Sequence, residues 1–459
     1  MKLIPGIALL LLACTLSPSQ PTGASVASSS TPNVVTMQAP PDAKTVVVVM
    51  TDDMSPELLV AMNSIGAGTV QFTRTHVIHP ICAPSRASFF TGLAPSQHGV
   101  VNLSDRAATV FDDSRTLATA LDDAGWDTAL LGKYLNQYEK LTPWPYVPLG
   151  WDRWRVFKTQ QAYNPGYVVV TEDRLEIMPP VYSTDYVFGE ADTAIRSSIN
   201  DLFLYVAPFA PHAPATAAAR DAGTFSSLPN FRPPSWGEQD LSDKPAYMQA
   251  FPFWTPSQIA QRDALRRRQH ETLLSVDRGI QRVLQALSDT GRLDGALIMF
   301  TSDNGMNYYQ RRWSNGHLKN CVYLDCVGVP LLIRAPGITS RVDSTHVVSS
   351  LDLPRTILSY AGVPPPFPTK GMDLFPLLAD PSAPWREGAY VEILGAAPPG
   401  SRMQAVYTIA EMYAEYLLTG EREYYDLSTD PDQMQNRATD PSVAARVTYL
   451  RALLGQVRP

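Results

Sequence analysis

Apolar residues along this chain fall into short continuous runs that stop abruptly on polar residues. Residues 45–50 read Thr-Val-Val-Val-Val-Met, a β-branched run of the kind buried on both faces of a parallel sheet, and it ends at Thr51-Asp52-Asp53. The same grammar recurs. Residues 202–206 run into Ala207-Pro208-Phe209-Ala210-Pro211-His212, residues 296–300 into Thr301-Ser302-Asp303-Asn304, and residues 127–131 into Gly132-Lys133. In open α/β sheets ligands bind outside the carboxyl ends of the strands, so one shared sheet gathers these polar residues in one crevice. Helical spacing predicts a helix over 114–125 with a Ser cap and a terminal Gly, and a long amphipathic helix over about 257–288 bearing Leu265, Leu273, Val276, Ile280, Val283 and Leu287. A further covering helix over 353–361 is closed by Gly362 and the prolines 364–366. Beyond about residue 380 the pattern changes to alternation over 389–393, 404–410 and 413–418, which suits a small antiparallel sheet. The Pro-rich tract 227–256 is long for a connection, and such loops wall a site or cover a sheet edge.

Composition narrows the class. With 459 residues, 45% apolar and 18% charged, the chain is globular, neither a disulfide scaffold nor a disordered tract; its 40 prolines predict long ordered loops. Lys and Arg number 37 against 44 Asp and Glu, a net charge of -7 with no basic stripe, which argues against nucleic acid as a partner. Any anionic substrate must then be met by a few placed cations. Met1 and Lys2 precede an apolar run over 3–13 that reads as a signal peptide, and no later stretch is long and apolar enough for a transmembrane span. Leu11-Leu12-Ala13-Cys14 resembles a bacterial lipobox, so export ends either in free secretion or in lipid anchoring through Cys14, with residues 17–42 as a Ser/Pro-rich tether. Cys321 and Cys326 are either a disulfide of an oxidising compartment or two buried thiols, and Cys82 is the odd thiol.

Cys82-Ala83-Pro84-Ser85-Arg86, continuing to Thr91-Gly92, resembles the signature of the formylglycine-dependent (type I) sulfatases, in which the Cys is oxidised to formylglycine by a maturation enzyme. The Asp-Asp strand end, Gly-Lys, Pro-His and Thr-Ser-Asp-Asn-Gly stand in sulfatase order, and the resemblance runs from about residue 44 to 436. It implies an alkaline-phosphatase-like α/β fold, a large mixed sheet flanked by helices, with a smaller C-terminal α+β domain containing an antiparallel sheet. The expected division is signal peptide and tether over 1–41, catalytic domain over 42–380 and smaller domain over 381–459.

The same resemblance implies the site. Asp52, Asp53, Asp303 and Asn304, with the modified Cys82, are the expected ligands of one divalent metal; oxygen donors suit Ca²⁺ first, with Mg²⁺ or Mn²⁺ as alternatives. A formylglycine hydrate at position 82 would attack sulfur with one oxygen and expel sulfate with the other, which a thiol cannot do. Pro84 in the first turn favours a helix starting here, with position 82 at its positive end. Arg86 matches the Arg that fixes the hydrate, Lys133 and Lys319 the sulfate-binding lysines, and His212 the His near the leaving oxygen. Gly132-Lys133-Tyr134-Leu135-Asn136, followed by Tyr146-Val147-Pro148-Leu149-Gly150-Trp151, is similar to the N-acetylglucosamine-6-sulfatase and heparan endosulfatase group. Asn136 there donates a hydrogen bond but shuttles no proton. Leu324, and Met306-Asn307-Tyr308 after Asn304-Gly305, depart from that group's pattern; His317, close to Lys319, either helps at the site or caps a loop. The expected substrate is a sulfated sugar, with aryl sulfates as artificial substrates. The competing readings are a phosphonate monoester or phosphodiester hydrolase using the same modified Cys, and a non-catalytic binder of sulfated glycans if Cys82 stays a thiol.

Overall fold

The computed structural model describes residues 40, 43–62, 64, 68–103, 107–159, 163–173, 176–313, 318–395 and 400–459. The signal peptide, nearly all of the tether, Cys14 and His317 lie outside these residues. Among the described residues no helix is long and apolar enough to cross a membrane.

The apolar runs become the centre of a mixed sheet, ten-stranded among the described residues. Ala296–Ser302, Thr45–Thr51, Leu202–Ala207 and Asp127–Gly132 lie side by side and parallel, with Thr45 level with both Ala296 and Leu202, and Leu202 level with Asp127. Common polarity and register bring all their carboxyl ends to one edge. Alternation divides the strands between two cores: Val46, Val48 and Met50 pack on one face, Val47 and Val49 on the other. The second face is covered by Ser183–Ser197 and the long helix Pro256–Asp289, started by a Thr255 capping box. The first is covered by Cys82–Thr91 and Asp352–Ala361.

Departures from expectation have local causes. The helix expected over 114–125 is confined to Leu117–Asp122 and capped by Thr116, because the Ser114 hydroxyl bonds Asp112 instead. The flanking strands Val70–Phe72, Arg153–Phe157, Val169–Thr171, Glu176–Ile177, Leu331–Arg334 and Arg341–Asp343 are short or mixed in polarity and carry no clear period. After residue 380 the antiparallel sheet has four strands, Ala389–Ile393, Met403–Tyr407, Glu411–Tyr416 and Arg422–Asp426, followed by the helix Ala444–Val457. The last strand, Arg-Glu-Tyr-Tyr-Asp, is too polar to announce itself. This sheet shares a core with the larger part: Val391, Met403 and Tyr407 pack with Val77, Trp313 and Tyr323.

At the sheet edge opposite the strand carboxyl ends, Arg292 is buried and holds three segments together. Its guanidinium donates to the Thr45 hydroxyl at 2.9 Å and to the carbonyls of Ser198 and Asn200 at 2.9 and 3.0 Å. Arg292→Met keeps the length and removes every donor, taking the guanidinium from the buried Ser198 carbonyl and Thr45 hydroxyl, while the exposed Asn200 carbonyl keeps the Ser198 hydroxyl at 3.3 Å. A loss of about 2–4 kcal/mol is expected, read as a lower urea midpoint at unchanged m-value.

Candidate active site

Two adjacent parallel strands deliver the acidic residues. Asp52 and Asp53 follow Thr45–Thr51, and Asp303 and Asn304 follow Ala296–Ser302. The ladder continues past the strand ends, the Asp303 amide donating to the Thr51 carbonyl at 3.1 Å and the Asp53 amide to Asp303 Oδ1 at 3.1 Å. Asp53 turns the chain with φ of 63°, a left-handed conformation that Asp tolerates better than most residues, and Asn304 Nδ2 donates to its Oδ1 at 2.7 Å. Lys133 enters from the far side of the Leu202–Ala207 strand. Gly132 before it has φ of 109°, and a Cβ there would sit 2.0 Å from the Ala207 carbonyl oxygen, so the Gly of Gly-Lys is a steric requirement. The Lys133 ammonium reaches Asp52 Oδ2 at 2.5 Å and lies 3.9 Å from Asp303 Oδ2.

Cys82 is the first residue of a wholly buried helix, Cys82–Thr91. Arg86, one turn later on the same face, donates through Nε to Asp303 Oδ2 at 2.8 Å and through Nη1 to the Lys133 carbonyl and the Tyr205 hydroxyl, each at 3.2 Å. Lys319 Nζ donates to Cys82 Sγ at 2.9 Å and pairs with Asp53. His212 Nε2 is 3.5 Å from Asp53 Oδ2, and Tyr163 donates its hydroxyl to the His212 carbonyl. The His212 side chain is 26% exposed, against 3% for Lys133 and 0% for Arg86 and Asp303. His212 therefore faces the opening and the others form the floor.

Charge in this buried cluster is fixed by mutual attraction. Burial alone would raise Asp52 and Asp53, but Lys133 pulls the first and Lys319 the second below the ordinary carboxylate value. Burial alone would likewise lower Lys133 and Lys319, and Asp52 and Asp53 hold them above the usual lysine value. The Cys82 thiol is pushed up by burial against the pull of both lysines, so it stays protonated. Asp52 Oδ1 and Asn304 Oδ1 are buried without a hydrogen-bond partner among the described residues. Ligand atoms of Asp52, Cys82 and Asp303 lie within 4.8 Å of one another, as do those of Asp52, Asp53 and His212. Unpaired buried oxygens are costly unless a donor or a cation meets them. This set of hard oxygen donors fits a divalent cation.

Of the residues singled out in the sequence, Asp52, Asp53, Cys82, Arg86, Lys133, His212, Asp303, Asn304 and Lys319 come together in the structure. Asn136 stands half-buried on the turn after Lys133. Tyr205 and Tyr163 were missed. A hydroxyl within the apolar run 202–206 was the available signal for Tyr205, while nothing local pointed to Tyr163.

Also missed is the support of the Lys319 loop. Cys321 and Cys326 are disulfide-bonded, and three consecutive residues between them are held from beyond residue 380. Tyr407 donates to the Val322 carbonyl, Tyr323 donates to Glu423 at 3.1 Å, and the Leu324 amide donates to Gln433 Oε1 at 2.8 Å. Glu423 also accepts from Tyr416 at 2.6 Å and Tyr425 at 2.7 Å. The Pro-rich tract pairs with the strap between Asn304 and Lys319, Gly237 donating to the Tyr309 carbonyl at 2.9 Å and Arg311 to the Ser235 carbonyl at 2.7 Å.

A family model described as Sulfatase matches residues 44–363, and one described as N-sulphoglucosamine sulphohydrolase, C-terminal, matches residues 314–459. A putative extracellular sulfatase Sulf-1 homolog of Caenorhabditis elegans is 31% identical over 76% of this chain and 52% of its own, so the chain spans about half the length of that relative. Human N-acetylglucosamine-6-sulfatase is 29% identical over 89% of this chain and 84% of its own. Among solved structures, one bound to its substrate D-glucosamine-2-N,6-O-disulfate superposes with a TM-score of 0.75 at 21% identity, covering 90% of this chain and 96% of that one. A phosphonate monoester hydrolase of Silicibacter pomeroyi superposes at 0.70, also at 21% identity, covering 90% and 94%. At such identity both share the fold.

Gly305 follows Asn304 where the strand end crosses the disulfide-tied turn. A Cβ there would sit 2.4 Å from the Asp325 carbonyl oxygen and 2.7 Å from that of Gly328. Backbone on a turn closed by a disulfide gives way poorly, so Gly305→Ala should cost about 1–3 kcal/mol, a Tm several degrees lower. Gly295→Ala, whose Cβ meets nothing closer than 3.9 Å, should leave Tm within a degree or so. Equal Tm values for the two variants would contradict this account of the turn.

Proposed function

The chain belongs to the sulfatase family, and from that membership and the geometry above we propose that it is an exported hydrolase of sulfated sugars, N-acetylglucosamine-6-sulfate-like, acting through Cys82 matured to formylglycine. The observation that carries this reading is Cys82 at the start of a buried helix, its sulfur within hydrogen-bond reach of Lys319 and beside Asp52 and Asp303. We assign residues 42–380 as the catalytic part and 381–459 as the smaller part that braces the Lys319 loop.

Asp52, Asp53, Asp303 and Asn304 would hold the cation, calcium first on their oxygen chemistry, and the bound cation would supply positive charge against the oxygens of the transferring group. Matured to formylglycine, position 82 would supply two hydroxyls where the thiol has none, one to bond to sulfur with loss of its proton as the bond to the sugar oxygen breaks, the other to lose a proton as sulfate leaves and the aldehyde returns. Arg86, fixed by Asp303 and Tyr205, holds the position-82 helix against the acidic strand ends. Lys133 and Lys319 are the donors for the sulfate oxygens, and burial makes each such bond stronger than in water. His212, facing the opening, gives a proton to the departing sugar oxygen. Asn136 contributes a hydrogen bond to the substrate from the turn after Lys133.

A second reading, phosphonate monoester hydrolysis, is favoured by the Silicibacter neighbour. Turnover of an aryl sulfate beside an aryl phosphonate separates the two.

Two outcomes test the proposal. Protein made with a maturation enzyme should carry an aldehyde in place of the Cys82 thiol by mass spectrometry, and Cys82→Ser should lose at least ~10³-fold in turnover, since a serine ester has no elimination route. Full turnover with an intact thiol would reject it, and would equally reject the non-catalytic alternative. Separately, His212→Ala should slow a sugar sulfate far more than nitrophenyl sulfate, whose leaving oxygen needs no proton, whereas Lys319→Ala should slow both alike. Equal kcat/KM losses on both substrates in His212→Ala would remove the acid role.

A further inference from the structure

A cavity of about 330 Å³ lies where segments distant in sequence meet: the stretch just after Asp53, residues 73–76, the Pro-rich tract, the strap with the disulfide-tied turn, and residues 431–433. None of the residues assigned above to the reaction site lines it. Its volume stands at the lower end of the range of small-molecule sites, about 300–1,000 Å³. Pro56 and Thr73 in its wall are exposed, so a small molecule can enter from solvent.

What the wall offers is unmet hydrogen-bonding capacity. Glu57 Oε1, His76 Nδ1 and Arg311 Nε, all on lining residues, are buried without a hydrogen-bond partner among the described residues. His76 and Arg311 are only 2% and 1% exposed. Such atoms are costly unless a ligand, an ion or water meets them. Arg74 adds a guanidinium for which no hydrogen bond or ion pair is found among the described residues. Arg311 and Asp325 pair with one another, which leaves Arg74, Glu57 and Asp432 as the other charged groups of the wall. Burial raises the Glu57 carboxyl to about 7, so near neutral pH it sets little negative charge against an incoming anion. Burial, with Arg74 acting in the same direction, holds His76 neutral, pushed down to about 3.

The wall is also built in advance. Arg311 has φ of 51°, a left-handed conformation that a residue with a side chain keeps only where its surroundings enforce it. Its Nη1 donates to the Asp432 carbonyl at 2.8 Å, and its guanidinium lies 4.0 Å from the centre of the Tyr323 ring. The His76 ring stacks on Tyr407 at 4.5 Å. Ser55 Oγ donates to the Met306 carbonyl at 3.0 Å and accepts from its amide at 2.8 Å, tying the stretch after Asp53 to the strap. Groups fixed in this way lose little freedom when a ligand arrives.

The chemistry of the unmatched groups selects the occupant. A free guanidinium, with a further unpaired N–H on Arg311, suits a carboxylate. Glu57 Oε1 and the Asp432 carboxylate, which otherwise accepts only a long bond of 3.4 Å from the Ser235 hydroxyl, suit hydroxyl donors. A ligand ammonium is disfavoured, because Glu57 resists the ionisation that would attract it. Phe231 and Pro233 give the wall an apolar part, which a hollow serving only to hold water does not require.

We propose that this cavity is a second binding site, separate from the reaction site, for a small aliphatic hydroxycarboxylate: Arg74 and Arg311 Nε meet its carboxylate, Glu57 and Asp432 its hydroxyls, and Phe231 and Pro233 its carbon chain. The inference goes beyond the sulfatase reading and does not rest on it.

The test uses the full mature protein and calorimetric titration with three probes: D-gluconate, which carries both groups, D-glucitol, which carries the hydroxyls alone, and acetate, which carries the carboxylate alone. Gluconate should bind with a Kd of ~1 mM or tighter and at least ~10-fold more tightly than either of the others. Arg74→Gln, which removes a guanidinium without a partner in the fold, should keep the wild-type Tm and lose at least ~10-fold on gluconate. Asp432→Ala tests the hydroxyl end and should lose ~3-fold or more. Gluconate binding no tighter than that of glucitol or acetate overturns the inference. So does wild-type gluconate affinity in either folded variant, since the ligand would then sit elsewhere, the cation site included.

Discussion

The constraint on which the rest of the structure depends is charge balance among deeply buried side chains. Arg86, Lys133 and Lys319 face Asp52, Asp53 and Asp303, all buried, and each cation lies within hydrogen-bond reach of a carboxylate. Isolated charges at such depth would neutralise themselves or unfold the site; paired and hydrogen-bonded, they persist. Balance has a functional side. A cluster already near neutrality takes a divalent cation comfortably only when an anion arrives to offset it, so cation and sulfate ester would stabilise one another here. Each ion's residence is then tied to the other's.

The fold meets this constraint by alignment. Parallel strands in common register end together, so Asp52, Asp303, Lys133 and the His212 loop arrive at one level without any of them being reached by a long loop. The helix bearing Cys82 supplies what the strands cannot, a side chain at a helix start and a second one turn on, and Arg86 ties that helix to Asp303. Lys319 comes from neither. It sits just before the turn closed by the Cys321–Cys326 disulfide and held at Val322, Tyr323 and Leu324 by residues beyond 380, which gives the antiparallel sheet a part in positioning Lys319.

These differences explain what was legible in the sequence. Thr45–Thr51 and its parallel neighbours announce themselves because strands buried on both faces must be continuously apolar, and their polar ends are conspicuous by contrast. The run from Cys82 to Arg86 is legible because its chemistry is local, a residue at a helix start and another one turn later. Support by tertiary contact left no such trace. Glu423 lies in Arg-Glu-Tyr-Tyr-Asp, a stretch the sequence reading did not single out, and its role as acceptor for Tyr323, Tyr416 and Tyr425 exists only once the sheet packs on the loop.

Depth of burial also divides the labour within the site. Lys133, Arg86 and Asp303 are almost wholly enclosed, where a low dielectric magnifies each attraction. His212 sits half a step outward, 26% exposed, where the acid role proposed for it would have access to solvent while the groups of the floor stay enclosed. A deeper histidine would resemble His79, which is fully buried and held neutral, its pKa pushed down to about 3 by burial. The gradient from enclosed floor to half-open rim thus sets Lys133 and Arg86 apart from His212, whose Nε2 lies 3.5 Å from Asp53 Oδ2.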